Sequence, residues 1–248
     1  MNSVTLINAT SVGDIDFCLN RGDNINESFK IVDNMFDTFY TVRTPFEYHC
    51  HEGHTELVKH LIIKGCKFTI DAFNNACWGG HMDIFNFLVS SFPIDFNECD
   101  KSGQTPLMCA CTEIWNYTPL VNTYITNKKE IVIALLKNGV DVNKRDREGE
   151  TAAHYAARWK SPDIFNLLLE NGADLTIKNN KNETPIFLAM WLRRHDTVKK
   201  ILESNINVNV SDVDKCNMCI TDIAKHNDDH QMINLIRDFQ HQSLEISN

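Results

Sequence analysis

The chain of 248 residues lacks the features of exported, membrane-spanning and nucleic-acid-binding proteins. No apolar run approaches the roughly 18 residues that a transmembrane helix needs. The first residues, MNSVTLINATSVGD, contain no basic segment followed by an apolar one, so we predict no signal peptide. Basic residues are few, because 24 Lys and Arg stand against 33 Asp and Glu, a net charge of −9. This balance argues against a general nucleic-acid or anionic-membrane surface, because both need clustered cations.

Enzyme motifs are also missing from the chain. There is no G-x-S-x-G nucleophile motif and no glycine loop of the kind that cradles phosphate. The nine cysteines are an odd, scattered set without an export signal, so we expect reduced thiols in the core of an intracellular protein. We predict no catalytic residues, no cofactor and no bound metal. The expected location is cytoplasmic or nuclear, including delivery into or expression in a host cell.

The chain does contain an internal repeat. Thr151 and Thr184 lie 33 residues apart in similar segments, and Gly139 and Gly172 show the same spacing. Thr105 opens another copy 46 residues before Thr151. The surplus of 13 residues falls between the two helices of that copy.

One unit, Lys144 to Thr176, predicts two helices. Thr151 suits a helix start, and the alanines after it make a thin helix that neighbours can approach closely. Ser161-Pro162-Asp163 starts a second helix, whose apolar face carries Ile164, Leu167 and Leu168. Asn171-Gly172 ends it. Such a pair is too small to bury a core alone and needs copies on both sides.

These units resemble the ankyrin repeat. The resemblance rests on the segments DKSGQTPLMCAC, DREGETAAHYAARWKSPDIFNLLLENGADL, NKNETPIFLAM and GHTELVKHLIIKG. It implies an all-α ankyrin-repeat α-solenoid of about seven helix pairs, with hairpin loops and degenerate terminal caps. We assign residues 1–239 to one ankyrin-repeat domain and 240–248 to a frayed tail, with repeats at 3–26, 44–67, 68–97, 98–143 (insert 113–126), 144–176, 177–209 and 210–239.

The connection at residues 27–43 is longer than the others. It carries five apolar side chains, namely Phe29, Met35, Phe36, Phe39 and Tyr40. Because so many apolar side chains seldom remain in water, we expect this segment to fold back over the first repeat.

The resemblance also implies where a partner protein would bind. Ankyrin repeats contact partners through the hairpin tips and through two positions after the paired alanines of each first helix. The predicted contacts at these helix ends are Trp78, Thr112, Glu113, Arg158, Trp159, Trp191 and Leu192, and those at the tips include Lys101, Arg147, Glu148 and Lys181. Exposed tryptophans in register would form a binding groove, whereas the alternative is that each ring covers the core.

The insert supplies a second predicted contact region. Trp115 and Tyr117 lie in it, and long loops within compact repeats are often functional. An aromatic insert would equally pack against a neighbouring repeat, and this alternative stays open.

Two minor sites remain as hypotheses. Asn143 in the segment LLKNGVDVN resembles the ankyrin asparagines that intracellular oxygenases hydroxylate. Cys216, Cys219, His226 and His230 have familiar zinc-ligand spacings. Against zinc, only six residues separate the two pairs, and Cys219 aligns with the threonines that open the first helices.

These observations predict a non-enzymatic module that binds another protein stoichiometrically on its concave and hairpin surface, as an inhibitor or an adaptor. A host-directed or viral factor fits the same description. The first alternative is a receptor for a nucleotide or other small aromatic ligand, with Trp78, Trp159 or Trp191 stacking on the base and Arg158 or Lys101 reaching phosphate. The second is a cysteine- or zinc-dependent enzyme on an ankyrin scaffold. We expect the protein alone to be monomeric, with no membrane or general nucleic-acid partner.

Overall fold

The computed structural model describes residues 5–32, 40–112, 121–159, 162–204 and 209–246, with the backbone alone at 29–32, 40–42, 121–126 and 242–246. The helices in the described residues are α1 (Val12–Arg21), α2 (Pro45–Glu52), α3 (Thr55–Ile63), α4 (Ile70–Gly79), α5 (Met82–Ser91), α6 (Pro106–Ala110), α7 (Val121–Lys137), α8 (Ala152–Ala156), α9 (Asp163–Glu170), α10 (Pro185–Trp191), α11 (His195–Glu203), α12 (Ile220–His226) and α13 (His230–Ile246). Two strands, β1 (Phe29–Val32) and β2 (Tyr40–Arg43), lie between α1 and α2.

The helices form successive antiparallel pairs from α2/α3 to α12/α13. The first helices α2, α4, α6, α8, α10 and α12 pack in a row, each against the next. Second helices pack behind them, with α1 against α3, α3 against α5, α5 against α7 and α7 against α9. The predicted all-α solenoid is therefore confirmed, and its core is shared between neighbouring pairs.

Both ends differ from the expected pattern. In the first repeat, residues 6–8 form a bend, so its described part holds one helix where a pair was predicted. Leu6 and Ala9 are buried in the hydrophobic core. At the other end α13 continues to Ile246, so the prediction of a frayed tail from residue 240 is wrong.

The connection after α1 contains a two-stranded ribbon. β1 pairs antiparallel with β2, with Phe29 opposite Arg43 and Val32 opposite Tyr40. YTVR alternates apolar and polar residues and FKIV is rich in β-branched and aromatic residues, both of which suit strands, whereas only a connection was predicted here. The apolar side chains expected to cover the first repeat lie outside the described side chains.

The insert of the fourth repeat partly forms helix. Residues 121–126 belong to α7, which has 17 residues where α9 has 8. The prediction that the surplus, assigned to the insert 113–126, falls between the two helices is therefore wrong for residues 121–126. Residues 113–120 lie outside the described part of the chain.

Four hairpins that precede α6, α8, α10 and α12 share one hydrogen-bond pattern. Each begins with an Asp or Asn whose Oδ1 accepts the backbone N–H groups of the second and fourth residues after it; these are Asp100, Asp146, Asn179 and Asp214. The third residue after it adopts a positive φ, as Gly103, Gly149, Asn182 and Asn217 do. Glycine and asparagine tolerate this conformation best, which explains why these residue types recur here.

A cap residue then starts the first helix of each pair. Thr44 and Thr105 accept the backbone N–H three residues later, and proline follows each of them. In the fifth repeat Thr151 N–H donates instead to Nδ1 of His154, whose Nε2 donates to Glu183 O of the next hairpin at 3.1 Å. The His154 side chain therefore both caps α8 and connects its repeat to the next one.

The first repeat is attached to the second through His49, which is completely buried. Its Nε2 donates to Leu6 O at 2.8 Å, so in the neutral ring Nδ1 accepts, here from Nδ1 of His54 at 2.9 Å. Burial lowers the pKa of His49 to about 4, while the Leu6 carbonyl and Glu52 oppose this shift and His54 adds to it. The imidazole is therefore held neutral at ordinary pH.

Replacing Asp146 tests the hairpin pattern. We expect Asp146→Ala to lower the free energy of unfolding by about 2–3 kcal/mol, because two backbone N–H groups and the Tyr155 hydroxyl lose their acceptor. Asp146→Asn should cost less, since Asn179 makes the same two turn bonds. Urea unfolding measures both, with the exposed Asp238→Ala as control. Equal stability of Asp146→Ala and Asp238→Ala would contradict this role.

The state of His49 predicts loss of stability in mild acid. An unfolded histidine titrates near 6.5, above the folded value of about 4, so the unfolded chain binds more protons between these values. The free energy of unfolding should fall as pH decreases from 6.5 towards 4, by up to about 3 kcal/mol from this group. In His49→Gln, whose amide still donates to Leu6, urea unfolding at several pH values should show a shallower dependence. An unchanged dependence would exclude His49 as its source.

Candidate protein-binding surface

The four hairpins form one continuous edge, which we call the hairpin edge (residues 100–104, 146–150, 179–183 and 214–218). Backbone hydrogen bonds join each hairpin to the next. Arg147 N donates to Ser102 O at 3.4 Å, Asn180 N to Glu148 O at 2.8 Å, and Lys215 N to Lys181 O at 3.0 Å. The backbone of the edge is therefore held at each junction, while outer side chains such as Arg147 and Lys181 are exposed.

The predicted tip residues lie on this edge. Arg147, Glu148 and Lys181 are all exposed, while their backbone groups hold neighbouring hairpins. The Arg147 carbonyl also accepts a hydrogen bond from Asn180 Nδ2 at 2.8 Å. These side chains are thus presented to solvent from a rigid base.

Tyr155 of α8 supports the edge from below. Its hydroxyl donates to Asp146 Oδ2 at 2.6 Å and accepts from Gln104 Nε2 at 2.6 Å. Burial, followed by the contact with Asp146, raises the pKa of this phenol. Two hairpins are therefore connected through a neutral hydroxyl on α8, the first helix that follows the second of them.

Arg158 follows α8, and its guanidinium meets the hairpin that precedes this helix. Nη2 donates to both carboxylate oxygens of Glu150, at 2.6 and 2.9 Å. Asn179 Nδ2 donates to Glu150 Oε1 and also to Glu183 Oε2, at 3.3 and 2.9 Å. This buried polar chain was missed from the sequence, although Glu150 and Glu183 occupy the same position one repeat apart.

The ends of the first helices form a second row of side chains, which we call the helix-end column. Its members are His51, Trp78, Thr112, Arg158, Trp191 and His226, all but the last partly buried. The centres of the Trp78 and His51 rings lie 4.7 Å apart, and the Arg43 guanidinium carbon lies 5.1 Å from the centre of the Trp78 ring. The Trp191 ring meets His226 edge-on at 6.0 Å. The two tryptophans therefore cover the core partly and face the concave side partly.

Trp159 does not join this column. It is only 3% exposed, and its Nε1 donates to Cys111 O at 2.6 Å. The prediction that Trp159 is a surface contact is therefore wrong, because the ring fills space beyond the short helix α6. Leu192, the neighbouring position in the next repeat, is partly buried and follows the end of α10.

A buried lysine lies against Trp159. Lys128 of α7 is completely buried, and its Nζ is 5.5 Å from the centre of the Trp159 ring. The same Nζ donates to the carbonyls of Cys109 and Thr112 at the end of α6. A cation at a helix C-terminus opposes the negative end of the helix dipole. Thr112 is thus held through its backbone, whereas Glu113, Trp115 and Tyr117 lie outside the described residues.

Six of the nine thiols are buried. Burial raises the pKa of Cys66 and Cys111 to about 12, so both remain thiols. Cys219 starts α12 and its thiol donates to Asp222 at 3.1 Å. Among the described residues no group of three or more His, Cys, Asp or Glu side chains could hold a metal ion. No helix in the same part of the chain has the length and apolarity needed to cross a bilayer.

Asn143, the predicted modification site, connects two repeats. Its Nδ2 donates to Gly172 O at 3.0 Å, and its Oδ1 accepts from Asp174 N at 2.8 Å. Asn97 Oδ1 accepts from Asp141 N in the same way, so this asparagine role recurs. Hydroxylation of Asn143 stays a prediction, and it would require these two bonds to open.

The stacked pairs, the hairpin edge and the capped first helices define a helical repeat protein of the solenoid class. Comparison with known families then identifies the type of repeat. The family model described as "Ankyrin repeats (3 copies)" matches residues 46–122, 112–179 and 127–212. These matches cover more than half of the 248 residues, so the chain belongs to the ankyrin-repeat family. Ankyrin repeats are protein–protein interaction modules, and the family is typically non-enzymatic. The search of curated proteins gave no match.

Trp159 and Trp191 should respond differently to truncation. We expect Trp159→Ala to reduce the free energy of unfolding by about 3–5 kcal/mol, since a buried ring and its hydrogen bond are lost. Trp159→Phe should cost about 1–2 kcal/mol for the Nε1–H bond, and Trp191→Ala less than Trp159→Ala because that ring is already partly exposed. Thermal and urea unfolding measure all three. A Trp159→Ala protein as stable as Trp191→Ala would place Trp159 outside the core.

Proposed function

We propose that this protein binds another protein stoichiometrically through the hairpin edge and the adjoining helix-end column, and acts as an inhibitor or an adaptor. The observation that carries the proposal is the contrast within the edge: its backbone is fixed between neighbouring hairpins, while Arg147, Glu148 and Lys181 are exposed. Rigid presentation lowers the entropic cost of binding, because few groups must be ordered when the partner arrives.

The helix-end column supplies the apolar part of the proposed surface. Trp78 and Trp191 are partly exposed, and their packing against His51 and His226 limits their motion. Large aromatic side chains that are already ordered are enriched among the residues that dominate binding energy. Charged tips beside such rings favour a partner with a defined charge pattern over nonspecific adhesion.

The nucleotide-receptor alternative loses one of its two expected phosphate ligands. Lys101 is exposed at a hairpin tip, but both Nη2 contacts of Arg158 go to the Glu150 carboxylate. A phosphate would have to displace this ion pair at a partly buried position. We therefore retain the protein-binding proposal, and with it an intracellular partner.

Blocking the hairpin edge tests the proposed function. Ser102 and Cys216 are exposed at the tips of the first and last hairpins, so Ser102→Trp with Cys216→Trp adds bulk without changing charge. The matched control is Gln231→Trp with Asn234→Trp, at exposed positions of α13. Partners captured from cell extract by cross-linking and mass spectrometry should bind the control as they bind the wild type, and the blocked variant at least about tenfold more weakly.

The complex should also have a fixed stoichiometry, which light scattering on the purified pair measures. Equal capture by the blocked variant and the wild type would contradict the proposed surface. Failure of any captured protein to form a complex of defined mass would contradict stoichiometric binding itself.

A further inference from the structure

The hairpin edge carries one exposed cation in each of its four hairpins. Lys101, Arg147 and Lys215 occupy the position after the turn-forming aspartate, and Lys181 lies one position later in its hairpin. Glu148 is the exposed acidic residue among the tips, since Glu150 and Glu183 are buried. The edge therefore forms a positively charged row on a chain whose net charge is −9.

These cations are largely unneutralised within the described part of the protein. No described side chain forms a hydrogen bond or ion pair with the side-chain nitrogens of Arg147, Lys181 or Lys215. Lys101 Nζ is 3.9 Å from Asp71, but its side chain is 79% exposed. By contrast, Lys144 and Arg145 behind the tips donate to backbone carbonyls, and Lys178 pairs with Asp212 at 3.0 Å. The side chains behind the tips hold the repeats together, and those at the tips remain available.

The repeat geometry fixes the spacing of the row. Successive hairpins precede successive first helices, which pack in a row, and packed helices lie about 8–10 Å apart, so successive tips recur roughly every 10 Å. A polyproline II chain places every third side chain on one face and rises about 3.1 Å per residue, or roughly 9 Å per turn. An extended segment of that form therefore matches the row, one side chain to each hairpin.

Charge decides which class of macromolecule fits this row. Four cations spread over roughly 30 Å are sparse for a nucleic acid, whose single strand carries a phosphate about every 3.4 Å. The remaining surface, net acidic, would repel dense polyanions and anionic bilayers. A peptide with isolated carboxylates meets the cations without that repulsion.

We propose that the hairpin edge binds an extended acidic segment of the partner protein, in polyproline II conformation, with a carboxylate at every third residue opposite Lys101, Arg147, Lys181 and Lys215. This inference rests on the proposed function and specifies the partner's chemistry. Glu148, exposed beside Arg147 in the second hairpin, disfavours a continuous acidic run. The row therefore selects a partner by the spacing of its carboxylates as well as by their negative charge.

The test uses a fluorescein-labelled peptide, (Glu-Pro-Pro)₄, against the full chain in fluorescence anisotropy at low and physiological salt. One comparison peptide, (Gln-Pro-Pro)₄, removes the charge. Another has four consecutive glutamates flanked by prolines and keeps the charge while losing the spacing. Wild-type protein should bind the spaced peptide more tightly than either, and added salt should weaken the interaction through screening.

Two matched protein variants separate the effect of the edge cations from the effect of the protein's overall charge. The edge variant combines Lys101→Gln, Arg147→Gln, Lys181→Gln and Lys215→Gln; the control combines Lys137→Gln, Lys199→Gln, Lys200→Gln and Arg237→Gln at exposed positions of α7, α11 and α13. Each edge cation should contribute about two- to fivefold, so the edge variant should bind at least about 20-fold more weakly, and the control like the wild type. Thermal unfolding should be similar for all three proteins, since the replaced side chains are exposed.

Three results would overturn the inference: an edge variant that binds the spaced peptide like the wild type, equal binding of the clustered peptide, or an equal loss in the control. Tighter edge-dependent binding of a dT oligonucleotide or of phosphatidylserine vesicles would overturn it as well. A different result, namely equal capture by the blocked variant and the wild type, would contradict the proposed function itself. If the captured partner binds the edge variant normally but not the protein blocked at Ser102 and Cys216, only the acidic-segment inference is wrong.

Discussion

The structure depends on one small arrangement, in which a single Asp or Asn oxygen holds two backbone N–H groups at the start of each hairpin. Asp146 shows the consequence best. Its Oδ1 shapes the turn, its Oδ2 receives the Tyr155 hydroxyl, and the turn then places Arg147 N and Glu148 O against the neighbouring hairpins. The same arrangement recurs at Asp100, Asn179 and Asp214. The hydrogen bonds that form each turn therefore also position neighbouring hairpins for contact. The edge is thus an ordered surface built from short-range bonds.

This arrangement separates the residues that maintain the fold from those available for recognition. The stack uses backbone atoms and the inward side chains of the hairpins, so the tip side chains are not required for it. The polar chain of Arg158, Glu150, Asn179 and Glu183 lies immediately beneath the tips and satisfies its buried groups internally. Fully satisfied polar networks of this kind rigidify a surface. Stability and binding are therefore carried by adjacent but distinct side chains.

The regular part of the fold could be predicted from the sequence because its signals are local. Thr151 and Gly149 mark a helix start and a left-handed turn, and Asn182 and Asn217 replace glycine at a position that asparagine tolerates. The irregular parts depended on tertiary contacts. Segment 121–126 is rich in residues of modest helix propensity, yet it continues α7. Trp159 is buried because α6 ends at Ala110 and leaves the Cys111 carbonyl as an acceptor, which repeat alignment does not reveal.

Lys128 has a consequence for the order in which the chain folds. Helix α6 has five residues, and its terminal carbonyls receive hydrogen bonds from a lysine on α7, with Trp159 of the following repeat closing over both. Repeat arrays fold by nucleating in one unit and propagating to its neighbours. A unit whose helix end is completed by later residues is a poor nucleus. We therefore expect α6 to be completed only when Lys128 and Trp159 are in place, so that this helix forms late in the growth of the array.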